Sequence, residues 1–97
     1  MKPLSNDKID QILSDSLKDW TFKDDKIHRQ LKFNGFPDAI AFLTRIAFAA
    51  EEQGHHPELF NVYNNVEISL CTHDAGDKVT EKDIKLAEAI EEIYKKN

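Results

Sequence analysis

Apolar residues recur with two different periods along the chain, and the changes of period divide its first third into a helix and two strands. Apolar positions between residues 9 and 13 have helical spacing and follow Ser5, a residue type favoured at helix N-caps. Residues 20–33 alternate every second position instead, with Asp24 and Asp25 between the two runs. This part of the chain therefore predicts a helix followed by a β-hairpin.

The middle of the chain predicts a long helix with an unusually wide apolar surface. Asn34 and Gly35 interrupt the strand pattern, Pro37 suits a first helical turn, and Gly54 suits the left-handed position that ends a helix. We expect the following residues to face the core: Ile40, Leu43, Ala47 and Ala50, with Phe42, Ile46 and Ala49 adjoining.

The last part of the chain predicts a second hairpin and a final helix. Residues 60–72 alternate around a turn at Asn64 and Asn65, and Thr80 with Asp83 three positions later forms a variant of the capping box. The order is therefore α-β-β-α-β-β-α, which predicts an α+β fold: a two-layer sandwich with a four-stranded antiparallel sheet and helices on one face. With 97 residues we expect a single domain, 1–97.

Charge and composition exclude several classes of function. The formal net charge of −5 and the lack of a Lys/Arg cluster argue against a nucleic acid partner. No apolar run approaches the roughly 20 residues of a membrane helix, and residues 1–5 contain no signal core, so we expect a cytoplasmic protein, with a nuclear location also open. Cys71 is the only cysteine, which excludes an internal disulfide and a cysteine-based zinc site.

Three of the four histidines, His55, His56 and His73, fall within 19 residues and are the strongest candidates for chemistry. Glu51 and Asp83 are the nearest candidate carboxylates. Imidazole both donates and accepts protons near neutral pH, and a neighbouring carboxylate fixes its tautomer. The cluster suits a reaction in which one proton is delivered and another is removed.

Other interpretations of these residues remain open from the sequence alone. His55 and His56 suit a helix C-terminus, where histidine interacts favourably with the dipole, and His73 suits an exposed strand end. Asp83 suits a helix cap that has no further function, and His28 is expected on the polar side of its strand. A three-histidine zinc centre is the competing chemistry, although the spacing matches no closed zinc motif.

The segment 51–64, EEQGHHPELFNVYN, followed by Thr72, His73 and Asp83, resembles the signature of the pterin-4a-carbinolamine dehydratases. Two differences stand out: Leu59 occupies a position that is often Trp in the family, and the interval from His73 to Asp83 is one residue longer than in the animal enzymes. The first concerns the wall of the site, and the second concerns whether Asp83 is the matching acid.

The resemblance implies dehydration of 4a-hydroxytetrahydrobiopterin to quinonoid dihydropterin plus water, in tetrahydrobiopterin recycling, without metal or cofactor. It implies His55 and His73 as acid and base in an order the sequence does not fix, His56 as a substrate-positioning residue, and Glu51 and Asp83 as supporting acids. Some animal relatives are also dimerisation cofactors of a homeodomain transcription factor, so a protein-binding function is the alternative.

The resemblance further implies a homotetramer, a dimer of dimers, and two sequence features support self-association. Strand residues 66–72 hold one charge and no proline, and would be poorly protected at a sheet edge. Phe42, Phe48 and Ala49 also extend the apolar surface of the middle helix beyond one stripe.

Overall fold

The computed structural model describes residues 1–96 and contains the elements in the predicted order. Three α-helices span Asn6–Ser16 (α1), Phe36–Gln53 (α2) and Glu81–Lys95 (α3), and four strands span Thr21–Lys23 (β1), Lys26–Lys32 (β2), Glu58–Val62 (β3) and Asn65–Leu70 (β4). A single 3-10 turn, His73–Ala75, lies between β4 and α3. All strand pairs are antiparallel, and their order across the sheet is β1-β2-β4-β3. The α+β prediction is confirmed.

The sheet has one buried and one open face, as strict alternation along the two central strands requires. Ile27 and Leu31 on β2 and Val66, Ile68 and Leu70 on β4 are buried together with apolar residues of all three helices. The alternate residues of both strands are partly or fully exposed on the other face. The helices therefore cover one face only.

The predicted helix ends and the first turn are confirmed. Ser5 accepts a hydrogen bond from the amide of Lys8, and Thr80 begins α3 with a complete capping box. Gly54 ends α2 with a φ of 63°. Glycine adopts this left-handed conformation without strain because it has no Cβ. Asp24 and Asp25 also have positive φ values, 54° and 63°, which suit a tight hairpin.

The expected core face of α2 is confirmed in part, since three of its seven residues are buried and two are exposed. The buried positions are Ala39, Phe42, Ile46 and Ala50, whereas Ile40, Ala47 and Phe48 are exposed, Phe48 by 75%. The reason is an aromatic cluster: Phe42 packs 4.9 Å from Phe33 and 5.8 Å from Tyr94, measured between ring centroids. These contacts with other parts of the fold determine which of the two adjacent apolar rows of α2 is buried.

The poorly protected sheet edge is also not formed by the strand that was predicted to form it. Residues 66–70 belong to β4, which pairs with β2 on one side and β3 on the other, so this strand is central and has no free edge. The strand ends at Leu70, and Thr72 forms an isolated bridge with Lys78. The edges are β1 and β3, and β3 is the one with exposed apolar side chains, at Leu59, Phe60 and Val62.

Candidate active site

His55 is placed in the protein interior by the end of α2. Its amide donates to the carbonyl of Ala50, and the left-handed Gly54 redirects the chain just before it. The imidazole is 8% exposed, and its Nε2 lies 2.5 Å from Oδ1 of Asp83 in the first turn of α3. The structure thus joins a predicted histidine to a predicted carboxylate across 28 residues.

Asp83 is completely buried and each of its oxygens has a partner. Oδ2 accepts from the amide of Thr80 at 2.8 Å and from the hydroxyl of Thr72 at 2.9 Å, while Oδ1 faces His55. An ionised carboxylate only accepts hydrogen bonds, which matches three surrounding donors. Asp83 is therefore a helix cap and a histidine partner at once.

The pairing with Asp83 leaves Nδ1 as the free nitrogen of His55. Because the carboxylate accepts, Nε2 donates, and neutral imidazole then has its lone pair on Nδ1. No donor or acceptor within residues 1–96 contacts Nδ1. Every side-chain N and O atom of those residues that is buried from solvent has a hydrogen-bond partner. Because Nδ1 has no partner, it is reached by solvent. This nitrogen can therefore exchange a proton with a molecule outside.

The other two histidines are exposed, and each has its own carboxylate. Nε2 of His56 lies 2.9 Å from Glu51, so the structure pairs Glu51 with His56 and not with His55. Nδ1 of His73 lies 2.6 Å from Asp77, and His73 is 94% exposed at the side chain. Exposed ion pairs of this kind contribute little to stability.

Asp77 contacts a candidate histidine but is not among the residues predicted from the sequence. It follows Gly76 in the turn between Thr72 and Lys78, with a φ of 61°, and its amide donates to the carbonyl of Thr72. No periodic pattern covers this turn, so the sequence offers only the proximity of an acid four positions after His73. Asp83, by contrast, was found through its capping position.

The three candidate histidines, His55, His56 and His73, line one cleft of about 210 Å³. The remaining lining residues are Gly54, Cys71, Thr72, Asp74 and Lys82. Partial burial raises the pKa of the Cys71 thiol, which keeps it protonated at neutral pH. The cleft thus combines three imidazoles with the charged side chains of Asp74 and Lys82.

Larger clefts lie on the open face of the sheet, but their chemistry is different. One of about 550 Å³ is lined by polar and charged residues that include Lys23, His28 and Glu67. His28 there has both ring nitrogens occupied, by Ser69 and by the carbonyl of Lys23, which fits its predicted surface role. We therefore place the candidate site at the smaller cleft, where a buried imidazole has a free nitrogen.

Within residues 1–96, no three His, Cys, Asp or Glu side chains are grouped so that they could hold a metal ion. Over the same range, no helix has the length and apolar character needed to cross a membrane.

Comparisons with known proteins show which family the chain resembles. A model of the family described as pterin 4 alpha carbinolamine dehydratase matches residues 2–93. A protein of Christiangramia forsetii with the provisional name pterin-4-alpha-carbinolamine dehydratase is 50% identical over 93 residues, 96% of this chain and 94% of that protein. One of Opitutus terrae with the same provisional name is 44% identical, over 93% and 92% of the two chains.

A solved structure is similar over nearly the whole fold. The crystal structure of a transcriptional coactivator/pterin dehydratase from Brucella melitensis superposes with a TM-score of 0.88 and is 37% identical in sequence. The match covers 95% of this chain and 98% of that one.

Proposed function

Because this chain belongs to the pterin-4a-carbinolamine dehydratase family, we propose that it dehydrates 4a-hydroxytetrahydrobiopterin to quinonoid dihydropterin by histidine acid/base catalysis, in tetrahydrobiopterin recycling. The observation that carries the proposal is the buried His55–Asp83 pair, beside a cleft that His55 lines together with two further histidines.

The proposed reaction requires two proton transfers at neighbouring atoms. An acid protonates the hydroxyl on C4a, the C4a–O bond breaks and water leaves. A base removes the proton from the adjacent ring nitrogen, whose electron pair forms the new C=N bond. Positioned proton transfer of this kind typically contributes about 10²–10⁴-fold to rate. No electron is transferred, so the step needs no redox cofactor.

The family resemblance implies different roles for the three histidines, which share one cleft. By that resemblance we assign the two proton transfers to His55 and His73, and substrate positioning to His56. Asp83 fixes the tautomer of His55, whereas Glu51 contacts His56 and supports the positioning residue. For His73 the supporting acid is Asp77, a role that we add on the basis of its 2.6 Å contact.

Turnover is expected to be independent of metal, because imidazoles alone supply both proton transfers. The test is a dehydration assay on protein that has been dialysed against a strong chelator, with mock-dialysed protein as the control. Equal kcat in the two samples is the expected result. Loss of turnover on chelation, with recovery on addition of zinc, would replace the acid/base mechanism by a metal centre.

Self-association as a homotetramer is part of the proposal, and exposed apolar side chains support it. Leu59, Phe60 and Val62 lie on the edge strand β3, and Ile40 and Phe48 lie on the outer side of α2. A dimer of dimers requires two different symmetric interfaces between chains. The unpaired edge of β3 suits one of them, and the apolar outer side of α2 suits the other.

Light scattering at micromolar concentration is expected to give about four times the 11.2 kDa chain mass. Phe48→Glu should lower that mass, because it places a charge on the apolar side of α2, whereas Lys8→Glu on the exposed side of α1 should not. A mass near one chain for the unaltered protein would reject self-association, and a dimer would reject the tetramer only.

A second candidate function is binding to another protein as a dimerisation cofactor of a transcription factor. The name of the Brucella structure combines a coactivator with a pterin dehydratase, and the apolar outer side of α2 offers a surface for such a partner. A chain that lacks turnover but retains a defined partner in a pull-down would favour this function over the enzymatic one.

A further inference from the structure

Two buried threonine hydroxyls lie behind the His55–Asp83 pair, on the side away from His55. Thr72 is 3% exposed and Thr80 is fully buried. Oγ1 of Thr72 lies 2.9 Å from Oδ2 of Asp83 and 2.6 Å from Oγ1 of Thr80. The chain thus contains a continuous line of hydrogen bonds from the start of α3 to the imidazole.

The direction of each bond in this line follows from counting protons. The hydroxyl of Thr80 accepts from the amide of Lys82 and, as the cap, from the amide of the third helical residue, Asp83. Each hydroxyl has one proton and two lone pairs, so the proton of Thr80 remains available for Thr72. The proton of Thr72 is then directed to Asp83, which as a carboxylate cannot donate.

Because of these hydrogen-bond directions, we propose that Thr72 is a positioning residue for the reaction, acting on His55 through Asp83. Its hydroxyl and the amide of Thr80 hold Oδ2 from two directions, which fixes the rotation of the carboxylate so that Oδ1 faces Nε2 of His55. The proton is thereby kept on Nε2 and the lone pair on Nδ1. The inference rests on the proposed role of His55 in dehydration.

Thr72→Val is the decisive variant, because valine keeps the β-branched shape and removes the hydroxyl. We expect kcat to fall about tenfold with KM little changed, since the hydroxyl of Thr72 is bonded to Thr80 and Asp83 and is not available to bind the substrate. Thr72→Ser restores the hydroxyl and should restore kcat. In parallel, the ¹⁵N shifts of the His55 ring, measured without substrate, should move away from the Nε2-protonated pattern in Thr72→Val and return in Thr72→Ser.

A destabilised but correctly oriented site must be distinguished from a misoriented one. Ile90→Val removes a methyl group from the buried side of α3 and serves as the control for lost stability. It should lower the melting temperature without altering the ring shifts of His55. Identical changes in Ile90→Val and Thr72→Val would overturn the positioning role.

The possible failures of the two proposals are separable. If the unaltered protein dehydrates the pterin and Thr72→Val matches it in both kcat and ring shifts, the inference about Thr72 is wrong and the proposed function stands. If the unaltered protein has no turnover, the proposed function fails. The ring shifts then still decide whether Thr72 orients His55, because they need no substrate.

Discussion

His55→Ala is expected to lower kcat by about 10²–10⁴-fold, because it removes the one imidazole that is both buried against a carboxylate and open to the cleft. His73→Ala should have an effect in the same range, whereas His56→Ala should act mainly by raising KM. The measurement is steady-state dehydration of the pterin carbinolamine, with circular dichroism to establish that each variant is folded.

His28→Ala is the matched control for the loss of an imidazole. His28 lies on β2, where its side chain binds Ser69 and the carbonyl of Lys23, and it does not line the histidine cleft. We therefore expect kinetics near those of the unaltered protein. A double variant without His55 and His73 that retained normal dehydration would refute the assignment.

Asp83→Asn is expected to lower kcat by about 10²–10⁴-fold while retaining most of the stability. The asparagine oxygen can still accept from Thr80 and Thr72, which preserves the helix cap. Its amide group then faces Nε2 of His55, and two donors cannot pair, so the ring must move its proton to Nδ1 or lose the contact. The first response removes the lone pair from Nδ1, and the second leaves neither the tautomer nor the orientation of the ring fixed.

The stability cost of Asp83→Asn should be about 1–2 kcal/mol, because one buried hydrogen bond is weakened and the cap remains. Thermal unfolding measures it, and Thr80→Ala provides the comparison in which the cap hydroxyl itself is removed. If Asp83→Asn lost stability but kept full turnover, Asp83 would be a cap alone.

The element order was predictable because the signals that define it are local. Ser5, Gly54 and Thr80 act within one turn of their own positions, and each is a helix boundary in the structure. The core face of α2 was predicted only in part, because two neighbouring rows are apolar and the choice between them depends on packing against Phe33 and Tyr94, which lie outside the helix. Strand order also depends on such long-range pairing, so the central place of β4 was not predictable.

The candidate residues were found from the sequence, but their pairing was not. Asp83 reaches His55 only because the start of α3 packs beside the end of α2, which no spacing along the chain encodes. Glu51 lies one helical turn before His55 in the sequence, yet the reversal at Gly54 turns the following His56 toward it. Asp77 was missed because its contact with His73 forms in an irregular turn.

The amide of Thr80 offers a natural reporter for the state of the site. This N–H is bonded to the buried carboxylate of Asp83, which also contacts His55 through its other oxygen. Its deuterium exchange therefore requires the start of α3 to open, and opening breaks the line of bonds to the imidazole. A ligand that binds His55 should slow this exchange. The exchange rate of the Thr80 amide, measured by NMR, would then report whether the cleft of the unaltered protein is occupied.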